Sequence, residues 1–360
     1  MELNITNIEI NDVDNGINLV FIGDGFTSTQ QQLYHDKITY AVQSFFEFVP
    51  FNEYRSRFNI YSIPTISNES GISYKTYPNN PITEVIKDTF LGAYFNHNGM
   101  IRLTSYDKKQ ELELELTRRF KNRVFLILIS NDSTYGGSGQ FPDNEFMTTT
   151  QITMETQYNT FKEIMMHEFG HSFCGLADEY GGNCTSDKPL DYRLPLYDRP
   201  NVTNDIVNNR KWDDIVSNPQ YFEGANYCNT GWWRSSDISL MRGWFVANTL
   251  LDQQFNEVSI YHIKKRINDE YRMNKRTVTF IEDDYVNTRM NSVHRKLLKG
   301  RKDIRINSDV IVDSNRIICG NLYINKGCTL EIKSGSIIVY NRLINNGTLI
   351  NNGKMIKTKR

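Results

Sequence analysis

Residues 160–180 read TFKEIMMHEFGHSFCGLADEY, and the interpretation of the whole chain turns on this stretch. Its centre is His-Glu-x-x-His: His167, Glu168 and His171. On a helix, positions i and i+4 lie only about 40° apart and one turn along the axis. Two imidazoles so placed can share one divalent ion. Glu168 stands at the edge of that stripe, where it can reach a metal-bound water without ligating the ion. The flanks agree with a helix. Thr160 and Glu163 have capping-box spacing, Ile164 and Met165 supply an apolar face, and Gly175 is suited to a left-handed stop.

A helix that stops there has a chemical reason. Catalytic zinc takes three protein ligands at about 2 Å and keeps one position open. If the helix ran on, Asp178 would lie roughly 10 Å beyond His171 along the axis. A turn at Gly175 instead brings Asp178, or its neighbour Glu179, back to the ion. Asp178 is the favoured third ligand and Glu179 the alternative, with one Zn2+ per chain as the expected cofactor. A purely structural zinc is disfavoured, because such sites are closed by cysteine and histidine without a spare glutamate.

Composition bounds what else the chain can be. Its 360 residues can hold one large or two smaller domains, and 39% hydrophobic with 12% aromatic residues supports a packed core. A net charge of −1 argues against a polyanion binder, and no nucleic-acid module is visible. The longest fully apolar run, Val124 to Ile129, is too short to cross a bilayer. The start, MELNITNIEINDVDNG, shows neither a basic nor an apolar stretch, so no secretory signal is visible and the compartment stays open. The five cysteines (Cys174, Cys184, Cys228, Cys319, Cys328) form no C-x-x-C pair, and an odd count leaves one thiol free within a monomer. Cys184 and Cys228 flank one loop region and could pair. Nothing fixes an oligomeric state.

Outward from the motif, the pattern is β-α-β-α-β. Ile17 to Gly23 is an apolar strand that enters Gly23-Asp24-Gly25, with a helix expected from Thr27 or Ser28 to about Val49. The G-x-G lacks a third glycine, since Ser28 stands there, and no P-loop lysine follows; a tight strand-to-helix turn is the expected role. Phe58 to Ile66 reads as a second strand in which Pro64 marks an edge or an end, Leu112, Leu116 and Phe120 mark a helix, and Val124 to Ser130 is a buried strand. Tyr135 to Gly139 reads as a glycine loop and Met147 to Thr153 as an edge strand to which an extended peptide could add. These elements imply an α/β fold with a mixed, mostly parallel sheet. A short helix is expected at Asn208 to Val216, and a final one from about Asp252 to Asn268 that carries His262, expected in solvent and not as a ligand.

The tail changes character. Arg295 to Arg305 is basic and reads as a linker. From Asn307 onward short apolar pairs alternate with glycine turns, and Leu343, Leu349 and Met355 recur every six residues. Stacked β-arcs of a small solenoid and a plain meander with Asn-Gly hairpins both fit this pattern. The expected division is a catalytic domain at 1–272, a linker at 273–306 and an all-β C-terminal region at 307–360.

The blocks VFIGDGFT, RFNIYSI with NESG, LILISNDSTYGGSG, HEFGHSFCGLADEY, PNVT, FEGANY and SLMRG together resemble the bacterial immunoglobulin A peptidase-like metallopeptidases, zincins of metzincin type. The resemblance covers roughly residues 17 to 268. The resemblance implies His167 and His171 as zinc ligands, Glu168 as catalytic acid/base, Asp178 as third ligand and Met241 as a methionine turn beneath the site. The Gly-Leu-x-Asp-Glu-Tyr segment departs by one residue from the usual metzincin spacing, which keeps Glu179 in play. Ser239 stands where a cysteine is common in the family, so a bridge typical of relatives is expected to be missing. Relatives are often secreted.

The resulting expectation is a zinc metalloendopeptidase acting on protein or peptide substrates, with Glu168 activating a zinc-bound water and Tyr227 or Arg234 as candidates to help hold the oxyanion. A non-peptidase zinc hydrolase, and a degenerate binding protein that attaches through its C-terminal repeat, are the competing readings. No residue licenses a particular substrate.

Overall fold

The computed structural model describes residues 3–142, 146–155, 160–182, 199–243, 254–275 and 279–281, and from 303 to 357 all but 307–308, 313–315, 319–320, 334–335 and 341. The first half supplies β1 (Thr6–Glu9), β2 (Ile17–Asp24), α1 (Gln31–Phe45), β3 (Phe58–Ile63), the short strands β4 (Ser73–Tyr74), β5 (Ala93–Phe95) and β6 (Ser105–Tyr106), α2 (Lys109–Arg119), β7 (Val124–Ser130), β8 (Gly137–Gly139) and β9 (Met147–Thr153). Then come α3 (Phe161–Cys174), β10 (Val202–Thr203), β11 (Phe222–Ala225), β12 (Cys228–Arg234) and α4 (Glu257–Lys275).

One six-stranded sheet, ordered β1-β3-β2-β7-β9-β8, carries the architecture. It is parallel except at its two edges, where β1 and β8 run antiparallel to their neighbours. Residues of β2, β7 and β9 are buried on both faces, which explains the apolar runs of β2 and β7, while β9 buries a run of threonines. Alternate side chains serve opposite layers. Leu19, Phe21, Phe125 and Ile127 pack with α1, α3 and α4, while Val20, Ile22, Leu126 and Leu128 meet Leu112 and Leu116 of α2. The motif helix α3 is bolted to the first layer by aromatic rings. Phe169 lies 4.9 Å from Phe45 and 5.6 Å from Phe51 between ring centroids, and Phe173 lies 4.8 Å from Phe125. Each such ring, fully buried, contributes about 1.5–3 kcal/mol.

Several sequence expectations shift in the folded chain. α1 ends at Phe45, not near Val49, because Phe45, Phe46, Phe48 and Phe51 are all buried and no single helical face could bury all four. The Thr-rich strand is not the sheet edge. β8, read from sequence as loop, pairs outside it and takes the edge. The expected helix at 208–216 is a set of turns: Asp205 accepts the backbone N–H groups of Val207 and Asn208, and the Trp212 indole donates to Gln220 O. α4 starts at Glu257, since Asn256 caps it by accepting the Ser259 N–H at 2.8 Å; Asp252 lies outside the described residues. The turn at Gly23-Asp24-Gly25 is tight, as expected: Gly25 has φ +78° and a Cβ there would lie 2.3 Å from Gly71 O.

The C-terminal strands are β13 (Thr279–Ile281), β14 (Asp303–Ile306), β15 (Val310–Val312), β16 (Arg316–Ile318), β17 (Asn321–Ile324), β18 (Thr329–Ile332), β19 (Ile337–Tyr340), β20 (Arg342–Asn345), β21 (Thr348–Asn351) and β22 (Lys354–Lys357). They form three ladders, β13-β14-β17-β20, β15-β18-β21 and β16-β19-β22, parallel except at β13. Chain neighbours do not pair as hairpins from β14 onward, which removes the Asn-Gly meander. The six-residue period now has a cause. It delivers Leu343, Leu349 and Met355 to three different ladders around one apolar interior. β13 and β14 fall inside the stretch expected as linker, so the ladders draw on residues before 307. Among the described residues no helix is long and apolar enough to cross a membrane.

Candidate metal centre

Both ends of α3 are fixed. At its start the expected Thr160–Glu163 capping box does not form. Instead Glu155 accepts the Thr160 N–H at 2.7 Å and its hydroxyl at 3.1 Å. That charge-assisted pair uses the threonine hydroxyl as a donor, and it sets a carboxylate at the positive end of the helix. At its end Gly175 adopts φ +69°, as expected of a left-handed stop, and Leu176 N–H turns back to Gly170 O at 3.2 Å. The chain therefore folds back after one turn.

That reversal brings Asp178 to the two histidines. Oδ1 of Asp178 lies 2.9 Å from His167 Nε2 and 3.4 Å from His171 Nε2, and the two Nε2 atoms are 3.2 Å apart. The other ring nitrogens are spoken for: His167 Nδ1 meets Leu240 O at 3.0 Å and His171 Nδ1 meets Leu176 O at 2.6 Å. A carbonyl accepts only, so each Nδ1 carries the proton and each neutral Nε2 presents a lone pair inward. Three acceptors then face one another, with Asp178 Oδ1 buried and given no other hydrogen bond. Only a proton or a cation resolves this. Donors held about 2.0–2.1 Å from one tetrahedral ion stand about 3.3 Å apart, and the three observed separations fit that. His167, His171 and Asp178 could hold a divalent metal.

Without a metal, a proton on His167 Nε2 takes that place and donates to Asp178 Oδ1. Burial opposes a charge on His167, yet the Asp178 and Glu168 carboxylates raise it to about 9. Burial would raise Asp178, but the two imidazoles hold it ionised, well below the usual carboxylate range. Burial pushes Glu168 up despite both histidines.

The edge strand β8 sets Glu168. Gly139 donates its N–H to that carboxylate. A Cβ on Gly139 would stand 2.3 Å from Glu168 O and 2.7 Å from His171 Cβ, and one on Gly137 would stand 3.1 Å from Glu168 Cγ. Glycines at both positions let the strand press against the helix. From sequence they had read only as loop formers. Beneath the helix, a Cβ on Gly170 would meet Met241 Sδ at 2.8 Å, so the glycine admits the fully buried methionine next to His171.

Glu179, the alternative ligand, turns the other way. Its carboxylate takes Asn201 Nδ2 at 2.8 Å and Asn256 Nδ2 at 3.0 Å, and it also bonds Ser239. Its N–H donates to Met241 O at 2.8 Å. Ser239 and Asn256, in the two segments without cysteines, thus converge on a buried carboxylate. Their role carried no local sequence signal. Asp178's second oxygen, Oδ2, accepts the Tyr227 hydroxyl, and the ring of Tyr180 stands edge-on to Tyr227 at 5.2 Å. Arg234 spends its guanidinium on the carbonyls of Glu223 and Gly224 and on Asp237. His262 is not in the cluster. Cys228 is disulfide-bonded, Cys174 and Cys328 are free thiols, and Cys184 lies outside the described residues.

Residues 7–221 match the family described as IgA Peptidase M64. No curated protein matches the chain.

Proposed function

The chain belongs to the IgA peptidase M64 family, and on that premise we propose that it is a zinc-dependent metalloendopeptidase with ligands His167, His171 and Asp178 and with Glu168 as acid/base. The observation that carries the reading is the meeting of three acceptor atoms with no donor between them. Two imidazoles and one carboxylate, with a fourth position left to water or substrate and a glutamate beside it, fit a catalytic zinc. When bound, the ion supplies Lewis acidity, which makes water more acidic and polarises a carbonyl.

The remaining work belongs to Glu168. It takes the proton of the water whose oxygen attacks the scissile carbonyl carbon. It then gives that proton to the amide nitrogen as the C–N bond breaks, so one water becomes part of a new carboxyl group and a new amine. The upward shift caused by burial suits a group that must hold the proton between those events. Gly139 N–H keeps its carboxylate oriented. Met241 is read as the methionine turn, an apolar floor that excludes water from the back of the histidines.

In this reading residues 1–272 form a metzincin-like catalytic unit. The C-terminal ladders are a small β-solenoid, with β13 and β14 as its lead-in across the expected linker. The substrate is protein or peptide. Digestion of a mixed peptide library by wild type and by Glu168→Ala tests the proposal. Internal cleavage by the wild type alone is expected. Equal cleavage by the variant overturns the role of Glu168, and trimming confined to chain ends overturns the endopeptidase reading.

A further inference from the structure

The turn between β11 and β12 carries a feature that folding alone does not require. Ala225 and Cys228 pair across it, and the two residues between them, Asn226 and Tyr227, both lie in the left-handed region at φ +51° and +64°. Two-residue turns of this kind favour glycine or asparagine. Tyrosine at the second position accepts a backbone cost that glycine would avoid, and such outliers persist where the surroundings enforce them. Here the surroundings are the Asp178 loop. Asn226 N–H donates to Asp178 O at 2.9 Å, Tyr227 N–H to Tyr180 O at 3.1 Å and Asn229 N–H to Gly182 O at 3.1 Å. The turn is thereby clamped, residue for residue, onto the segment that delivers Asp178. Its one long side chain sends a hydroxyl to Oδ2, the oxygen that does not face the histidines.

We propose that Tyr227 is a positioning residue of the metal centre, holding Oδ2 of Asp178 so that Oδ1 stays aimed at the two Nε2 atoms. The proposal rests on the metal-centre reading above. A carboxylate facing two nitrogen lone pairs is repelled and free to rotate about its last bond; a donor on its far oxygen opposes both tendencies. Tyr180, edge-on to the Tyr227 ring, restricts the side chain that carries this donor.

The test is a double-mutant cycle on the full chain, reading Zn2+ affinity by competition with a chelating dye. Tyr227→Phe keeps the ring and the turn but deletes the hydroxyl, and it is expected to weaken zinc binding about 10- to 100-fold. In an Asp178→Ala background, where the oxygen it holds is gone, the same change is expected to leave the residual affinity of the two histidines unaltered. Wild-type affinity in Tyr227→Phe, or an equal loss in both backgrounds, overturns the proposal, the second by revealing a general structural role. A wild-type protein that takes up no zinc overturns the metal-centre reading itself. That outcome is distinguishable because it needs no variant.

Discussion

Two buried aspartates in this molecule look alike in sequence and do opposite things. Asp24 ends β2, and Asp178 lies in the loop after α3. Around Asp24 every neighbour is a donor: Leu91 N–H at 2.9 Å, Ala93 N–H at 2.8 Å and the Thr89 hydroxyl at 2.7 Å. The carboxylate is a hub that ties the 89–93 segment to the sheet. Around Asp178 one oxygen has a donor and the other meets only acceptors. Burial is common to both sites, so burial does not identify function. The difference lies in what the oxygens face. A carboxylate surrounded by donors is complete, and one that faces lone pairs is waiting for a cation.

The contrast can be broken by substitution. The largest effect should come from Glu168→Gln, which removes the base beside the unsatisfied cluster while leaving the three acceptors in place. Turnover should fall about 10²- to 10⁴-fold with metal content unchanged; parallel loss of metal would mean that Glu168 holds the ion as well. Next, Asp24→Ala should cost about 3 kcal/mol in denaturant unfolding, because two backbone N–H groups and a hydroxyl lose their acceptor. Its metal stoichiometry should stay at the wild-type value. Loss of metal there would erase the distinction between the two aspartates. Asn256→Ala removes one amide donor from Glu179 and the cap of α4, and should cost about 1–2 kcal/mol, again read by unfolding.

The smallest effect is a pH dependence of the metal-free protein. His167 is raised from 6.5 to about 9 in the fold. Its protonated form is therefore favoured on folding, and that stability is fully present below pH 6.5 and lost as pH rises through 9. Melting scans between those limits should show the metal-free protein weakening with pH. With metal bound, the proton is displaced and the trend should flatten. A falling curve in both states would place the titration elsewhere.

Much of the centre was legible because its chemistry is local. His167, Glu168 and His171 need only helical periodicity, and Gly175 needs only a left-handed stop. The requirement for a third ligand pointed to Asp178 or Glu179, and the fold sets Asp178 beside the two histidines. The parallel strands β2 and β7 announced themselves by apolar runs. What escaped depended on distance or on absent side chains. β8 is Gly-Ser-Gly, which has no strand propensity, and its place beside β9 comes from tertiary pairing. Glu155 outcompetes Glu163 at the helix start through a tertiary hydrogen bond. Asn201 and Asn256 meet Glu179 from segments 22 and 77 residues away, which no spacing rule can reveal. In the tail the six-residue period was visible, but choosing between arcs and hairpins required the pairing partners themselves.

The central claim is that the lone pairs of His167, His171 and Asp178 converge on a metal while Glu179 does not. Elemental mass spectrometry on purified wild type, Asp178→Ala and Glu179→Gln tests it most directly. About one zinc per chain in wild type and in Glu179→Gln, lost in Asp178→Ala, is the predicted result. Zinc retained in Asp178→Ala but lost in Glu179→Gln, or no zinc in any of the three after incubation with the metal, would contradict it.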